Sequence, residues 1–359
     1  MIKYLGSKRV LLPAIVAGAR ALVDRGAHVL DLFSGTSRVG HALKAAGYRV
    51  TANDQLAYAA TLARCYVAAD AERWTEPAQA LLAELQELPG APGYVTRVFC
   101  EEARYFQPKN GARIDAIRTR IAELDLPSPL EAIALTSLME AADRVDSTTG
   151  VQMAYLKRWA ARAHNDLSLR LPALLPGPGD AREGDAIDAA AEVEADLAYL
   201  DPPYNQHSYL GNYHVWETLV RWDAPEAYGV ARKRVDVRER KSDFNSKRRI
   251  REAFAATVAA LRAPRLLVSQ SDEGHLPAAD VHATLAERGE VGVVATDFKR
   301  YVGAQIGIHN PQGERVGTVK KLRNQELLYV VAPTRAEVER ATSAIREVLA
   351  PQAPSEARR

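Results

Sequence analysis

The stretch between His28 and Asp54 constrains the fold more than any other part of this 359-residue chain. His28-Val-Leu-Asp-Leu-Phe33 is a short apolar run of the kind that forms a buried strand, and Arg49-Val-Thr-Ala-Asn-Asp54 is a second. Between them, Ser34 to Gly40 reads as a turn that passes into a helix ending near Ala46. Two strands joined by one helix form a βαβ unit with a right-handed crossover, and such units build α/β sheets of parallel strands. Residues 11–23 have the apolar spacing of a preceding helix. Further strand-like runs come much later, at 196–200, 264–270, 291–295 and 326–331.

The residues in between behave differently. From 71 to 179 the chain is rich in helix formers, notably over 77–88, 114–124 and 130–145, with one apolar run at 95–100 that fits a short strand. Leu171-Pro-Ala-Leu-Leu-Pro-Gly-Pro-Gly-Asp180 closes this insertion as a linker, because proline and glycine punctuate regular structure. The expected organisation is a discontinuous α/β domain from 1–70, 180–204 and 255–338. A mostly helical insertion spans 71–179, a basic segment spans 205–254, and a C-terminal helix with a frayed tail spans 339–359. Residues 301–321 suggest a hairpin turning at Asn310-Pro-Gln-Gly313.

Composition narrows the function classes. Lys and Arg total 47 against 45 Asp and Glu, so the net charge of +2 announces no nucleic-acid partner, and any basic surface must be local. There is no apolar run of transmembrane length, and the N-terminus lacks a signal-peptide pattern. Cys65 and Cys100 are too few for a disulfide framework or a four-thiolate zinc site. A cytoplasmic, metal-free protein is expected.

The candidate chemistry falls at strand ends, where open α/β sheets bind ligands. Asp31-Leu-Phe-Ser-Gly35 follows the first strand, and Gly35 permits a sharp turn close to a ligand. The dinucleotide pattern G-x-G-x-x-G and the phosphate-cradling P-loop are both absent, which suits a nucleoside without a pyrophosphate. Asp54 ends the second strand, roughly 20 residues after the first strand's end, where this architecture holds a ribose hydroxyl. An ordinary turn with Ser34 capping the helix is the competing explanation. Asp185, in Gly184-Asp-Ala186, is either an adenine contact or a helix cap.

Asp201-Pro-Pro-Tyr204 directly follows the apolar run 197–200. Two prolines cannot donate ladder hydrogen bonds and fix φ, so the strand must stop in a stiff loop. The Asp201 carboxylate and the Pro202 carbonyl are acceptors for an exocyclic amino group, and the Tyr204 ring can stack on the base that carries it.

Four stretches, in order, make the chain resemble the alpha group of adenine-N6 DNA methyltransferases: Lys3-Tyr-Leu-Gly-Ser-Lys8, Asp31-Leu-Phe-Ser-Gly35, Asn53-Asp54 and Asp201-Pro-Pro-Tyr204. The resemblance implies a Rossmann-like S-adenosylmethionine methyltransferase sheet. It assigns the cofactor to Tyr4, Gly6, Lys8, Asp31, Phe33, Ser34, Gly35, Asp54, Asp185 and Asp201. Catalysis falls to Asp201, Pro202, Pro203 and Tyr204, acting on a flipped adenine of double-stranded DNA. A monomer, with a cognate restriction endonuclease as partner, goes with that reading. Action on RNA, or a catalytically inactive DNA-binding relative, are the alternatives. The chain departs from the pattern at Gln206-His207 and at Gly35-Thr-Ser, where a second glycine is commoner.

Residues 231–251 hold ten cations, Arg232, Lys233, Arg234, Arg238, Arg240, Lys241, Lys247, Arg248, Arg249 and Arg251, against three acidic residues. This local excess is the expected grip on DNA phosphates, with a solvated charged face as the other explanation. Tyr155-Leu-Lys157-Arg158-Trp159 mixes cations and aromatics and reads either as a second DNA wall or as a packed helix.

Overall fold

The computed structural model describes residues 1–299, 308–309, 315–317 and 323–350. Its central sheet contains β1 (His28–Asp31), β2 (Arg49–Asp54), β3 (Gly179–Glu183), β4 (Leu197–Leu200), β5 (Leu266–Ser271), β6 (Glu290–Lys299) and β7 (Arg323–Ala332). The strand order is β3-β2-β1-β4-β5-β7-β6. Strands β1 to β5 pair in parallel, as expected. β7 runs antiparallel to both β5 and β6 and lies between them. Most of the expected 301–321 hairpin lies outside the described residues. Two short strands within it, Ile308–His309 and Arg315–Gly317, pair antiparallel.

Helices α1 (Leu12–Leu22), α2 (Arg38–Ala45), α3 (Ala57–Ala63), α4 (Ala71–Glu87), α5 (Pro108–Glu123) and α6 (Ser128–Arg144) belong to the first half of the chain. Helices α7 (Ala186–Glu192), α8 (Tyr209–Asn212), α9 (His214–Arg221), α10 (Ile250–Ala260), α11 (Ala278–Ala286) and α12 (Arg335–Leu349) follow. Because successive strand residues face opposite ways, the sheet feeds two cores. Val29, Leu197, Tyr199, Leu267 and Val330 pack with α1, α2 and α12. Leu30, Ala198, Leu200, Val268 and Val331 pack with α7, α10 and α11. Burying both faces is what parallel strands require.

The insertion does not stand apart from the sheet domain. Helices α4 to α6 share one apolar cluster with Ile2, Tyr58 of α3, and Tyr213 and Trp216 beside and within α9. The run 95–100, expected as a strand, is instead part of a wide helical turn over Thr96–Glu101. Asp115 of α5 explains why: its carboxylate accepts hydrogen bonds from the backbone N–H groups of Gly93, Val95 and Thr96, each at 2.8 Å. Donors gathered this way mark a helix start rather than a ladder, and a short apolar run alone does not separate the two.

Candidate active site

β1 and β4 are neighbours, with Asp31 opposite Tyr199. The chain winds from β1 towards β2 on one side and from β4 towards β5 on the other, so a crevice opens beyond their carboxyl ends. The Gly35 turn leaves β1 on one side of this crevice, and the Asp201 corner leaves β4 on the other.

The Gly35 turn is held from beneath. Gly35 has φ of +51°, and a Cβ there would lie 3.3 Å from the Tyr4 ring, so both conformation and space call for glycine. Its N–H donates to Asp54 Oδ2 at 2.9 Å, while the Leu56 N–H donates to Asp54 Oδ1 at 3.0 Å. Asp54 therefore ties the ends of β1 and β2 together as well as bordering the cavity. Asp31 Oδ2 accepts from the Gly40 N–H at 2.8 Å. Ser34 does not cap α2, whose N-cap is Ser37. Asp185 caps α7, accepting from the Ile187 N–H at 2.8 Å, and also faces the cavity.

The cavity in this crevice has a volume of about 340 Å³, of the order that holds a small ligand. All ten residues expected to bind the cofactor line it: Tyr4, Gly6, Lys8, Asp31, Phe33, Ser34, Gly35, Asp54, Asp185 and Asp201. Pro203 does too, whereas Pro202 and Tyr204 lie outside the lining. Residues that line it carry buried polar atoms with no partner among the described residues: Asp31 Oδ1, Ser34 Oγ, Asn53 Oδ1, Ser7 Oγ and Arg38 Nε. Buried polar groups are normally hydrogen-bonded, so this set fits a ligand rich in amino and hydroxyl groups. Among the described residues, no group of three or more His, Cys, Asp or Glu is placed to hold a metal ion.

The N-terminal segment completes the Asp201 side. Tyr4 stacks against Tyr209 and Tyr213, at ring separations of 5.1 and 4.6 Å. Gly6, with φ of +75°, lies under the Tyr209 hydroxyl, which a Cβ would approach to 3.0 Å. The buried Lys8 then places its Nζ 2.9 Å from Asp201 Oδ1 and 2.9 Å from Glu326 Oε1. Lys8 also stands 6.0 Å from the Tyr204 ring centroid, and the Tyr204 carbonyl accepts from the His275 N–H at 2.7 Å. Glu326 escapes the motif reading altogether. Its one sequence signal is a carboxylate opening the apolar run of β7.

Burial sets the electrostatics. It raises the Asp31 carboxyl to about 7, the Gly40 N–H opposing the rise. Burial likewise raises Asp54 to about 6. Asp201 also rises to about 6, through burial first, with Lys8 pulling down and Glu326 pushing up. Burial works against the Lys8 charge, but Asp201 and Glu326 more than offset it and hold the ammonium well above its ordinary value. Tyr204 is pushed up to about 12, chiefly by burial.

The basic segment divides in two. Arg234 is 3% exposed and bridges Asp223 and Asp236, so it faces inward rather than towards a phosphate. Arg240 joins Glu217, which is fully buried, to Asp236. Arg232, Arg249 and Arg251 pair with Glu102, Asp243 and Asp280. Arg238 lies over the Tyr228 ring at 3.9 Å, and Lys233 is half-buried. Lys241, Lys247 and Arg248 are exposed and have no ion pair among the described residues. The same segment supplies cavity wall that the sequence did not reveal. Residues 239–242 and 244–245 line it, and Phe244 meets Phe33 edge-on at 5.1 Å.

Residues 4–257 match the family described as D12 class N6 adenine-specific DNA methyltransferase. Over 283 residues the chain is 30% identical to the Type II methyltransferase M.NlaIII of Neisseria lactamica, covering 76% of this chain and 83% of that one. It is 32% identical over 308 residues to the Type II methyltransferase M.FokI of Planomicrobium okeanokoites, covering 80% of this chain and 47% of that one. The modification methylase StsI of Streptococcus sanguinis is 29% identical over 347 residues, with 92% and 52% covered. The chain thus spans about half the length of the latter two relatives.

Proposed function

The chain belongs to the D12 class of N6 adenine-specific DNA methyltransferases, and we propose that it transfers a methyl group from S-adenosylmethionine to N6 of an adenine flipped out of duplex DNA. The observation that carries this reading is the adjacency of β1 and β4, which puts the Gly35 turn and the Asp201 corner on one crevice. When bound, S-adenosylmethionine supplies a sulfonium methyl that the N6 lone pair attacks, the C–S bonding pair returning to sulfur.

The remaining work falls to this chain. Asp31 receives the ammonium of the methionine end, Asp54 the ribose hydroxyls and Asp185 the adenine amino group. Tyr4, Gly6, Lys8, Phe33, Ser34 and Gly35 shape the space between. Asp201 and the Pro202 carbonyl accept the two N–H bonds of the target amino group and draw its lone pair out of the ring. Asp201 or water then takes the proton that the methylated nitrogen releases. No stronger base is needed, and preorganised acceptors stabilise the charge as it develops. Flipping costs a few kcal/mol; stacking on Tyr204 offsets roughly 1–3 kcal/mol of it.

The type II relatives motivate a cognate restriction endonuclease as partner, with this chain acting as a monomer on cytoplasmic DNA. No described helix is long and apolar enough to cross a membrane. The testing experiment incubates the protein with methyl-labelled cofactor and duplex DNA, then digests the DNA to nucleosides and sequences the modified sites. Label in N6-methyladenine at one sequence is expected; label in cytosine instead, or no label in the DNA, overturns the reading.

Two further results should follow. A cationic ligand beside Asp31 and Asp201 favours their ionised forms, whose protons are held until about pH 7 and pH 6. Binding therefore releases protons, and S-adenosylmethionine affinity should tighten from pH 5.5 to 7.5, by at most about tenfold per pH unit for each proton released. Calorimetric titration across that range checks this, and a flat profile contradicts it. On the DNA side, replacing Lys241, Lys247 and Arg248 with glutamine should flatten the dependence of log affinity on log salt. Each lost phosphate contact is worth about 0.9 in slope. An unchanged slope removes these cations from the interface.

A further inference from the structure

Glu326 is a carboxylate where the sheet has little reason to bury one. It is 5% exposed within β7, between the registers of Ser271 and Thr296. A buried carboxylate is costly unless it is paired and hydrogen-bonded, and Glu326 is both. Its Oε1 accepts from Ser269 Oγ of β5 at 2.8 Å and lies 2.9 Å from Lys8 Nζ. Lys8 spends another of its three donors on Asp201 Oδ1, while Asp201 Oδ2 has no partner among the described residues. A lysine fixed by Asp201 alone would keep the freedom of its four-carbon stem. With Glu326 behind it, the ammonium is anchored from the sheet.

We propose that Glu326 is a positioning residue for methyl transfer: it anchors Lys8 against one oxygen of Asp201, so that the other oxygen is kept for the reacting amino group. The inference rests on the function proposed above. Two carboxylates and one ammonium leave a net single negative charge. That suits a step in which the nitrogen pair forms the N–C bond, the C–S pair goes to sulfur, and the nitrogen becomes cationic before releasing one proton. The other titratable groups facing Asp201 are Asp31, Tyr199, Tyr204 and Tyr209. The tyrosines stay neutral because burial raises all three. Asp31 is common to every variant below, and saturating cofactor fixes its state.

The test is the single-turnover methyl-transfer rate from pH 5 to 8, at saturating S-adenosylmethionine and duplex. Glu326→Ala should lower it by roughly 10- to 100-fold through misplacement of Lys8 and Asp201, with cofactor affinity within about 3-fold of wild type. Glu326→Gln keeps the acceptor atom, so most of the rate should return. It also removes a negative charge beside Asp201, so the acid limb should move down by about 0.5–1 pH unit. A purely structural role would lower the unfolding temperature and leave the single-turnover rate of the folded alanine variant near wild type. Should the alanine variant fail to fold, Glu326→Asp, which keeps the charge but draws the carboxylate back from Lys8, decides by its rate: a loss supports the anchor and a wild-type rate overturns it. An alanine variant at wild-type rate, or a glutamine variant with an unmoved limb, overturns the proposal. A wild-type protein that methylates no adenine overturns the function itself, which keeps the two failures distinguishable.

Discussion

Replacing Asp201 with alanine should lower the single-turnover rate of adenine methylation by about 10³-fold, the scale on which a preorganised transition-state contact acts. Two features concentrate the loss at the chemical step. The corner is braced by two prolines, so no neighbouring backbone can move in to replace the lost acceptor. Asp31, Gly35, Asp54 and Asp185 line the same cavity away from the corner, and none of them depends on Asp201 for its hydrogen bonds. S-adenosylmethionine affinity should therefore change far less than the rate. The fold should survive, because Lys8 keeps its pair with Glu326. Asp201→Asn, which retains an oxygen acceptor without the charge, should fall between alanine and wild type. Rapid-quench measurement of labelled DNA separates rate from affinity, and a near-normal rate for the alanine variant would remove Asp201 from its role.

Lys8→Met should be the most damaging substitution for stability near the site. It leaves Asp201 and Glu326 facing the same buried space without a cation, and breaking a buried pair from one side costs about 3–5 kcal/mol. The pH dependence has a definite sign. Without Lys8, the Asp201 carboxyl loses the charge that opposes its burial and should titrate still further above its unfolded value, so the folded protein binds the extra proton. The deficit is then fully present at alkaline pH and narrows as pH falls through the raised pKa. Urea unfolding of both proteins at pH 8 and pH 5.5 measures this. A variant as stable as wild type at pH 8, or a deficit that widens on acidification, would contradict it.

How far the sequence discloses this arrangement depends on the range of each interaction. β1, β2, β4 and β5 are legible because buried parallel strands are written as apolar runs. β3, Gly-Asp-Ala-Arg-Glu, is not: among the described residues it pairs with β2 alone, at the sheet edge, and needs no such pattern. The motif residues that end β1, β2 and β4 are legible because close ligand approach and a stiff corner demand particular residue types. Glu326 is invisible beside them, since its partner Lys8 is contributed by the opposite end of the chain. Arg234 shows the converse: ten cations can be counted in the sequence, but their pairing with Asp223 and Asp236 exists only in space. Asp115 makes the same point for 95–100, where a carboxylate on another helix decides that an apolar run winds rather than extends.

Crystals grown with S-adenosylhomocysteine would show in difference density where the ligand lies. The expected density has an amino-acid end beside Asp31 and Gly35, a ribose at Asp54, and a sulfur directed at the Asp201 corner. Density elsewhere on the molecule, or a sulfur turned away from Asp201, would contradict it.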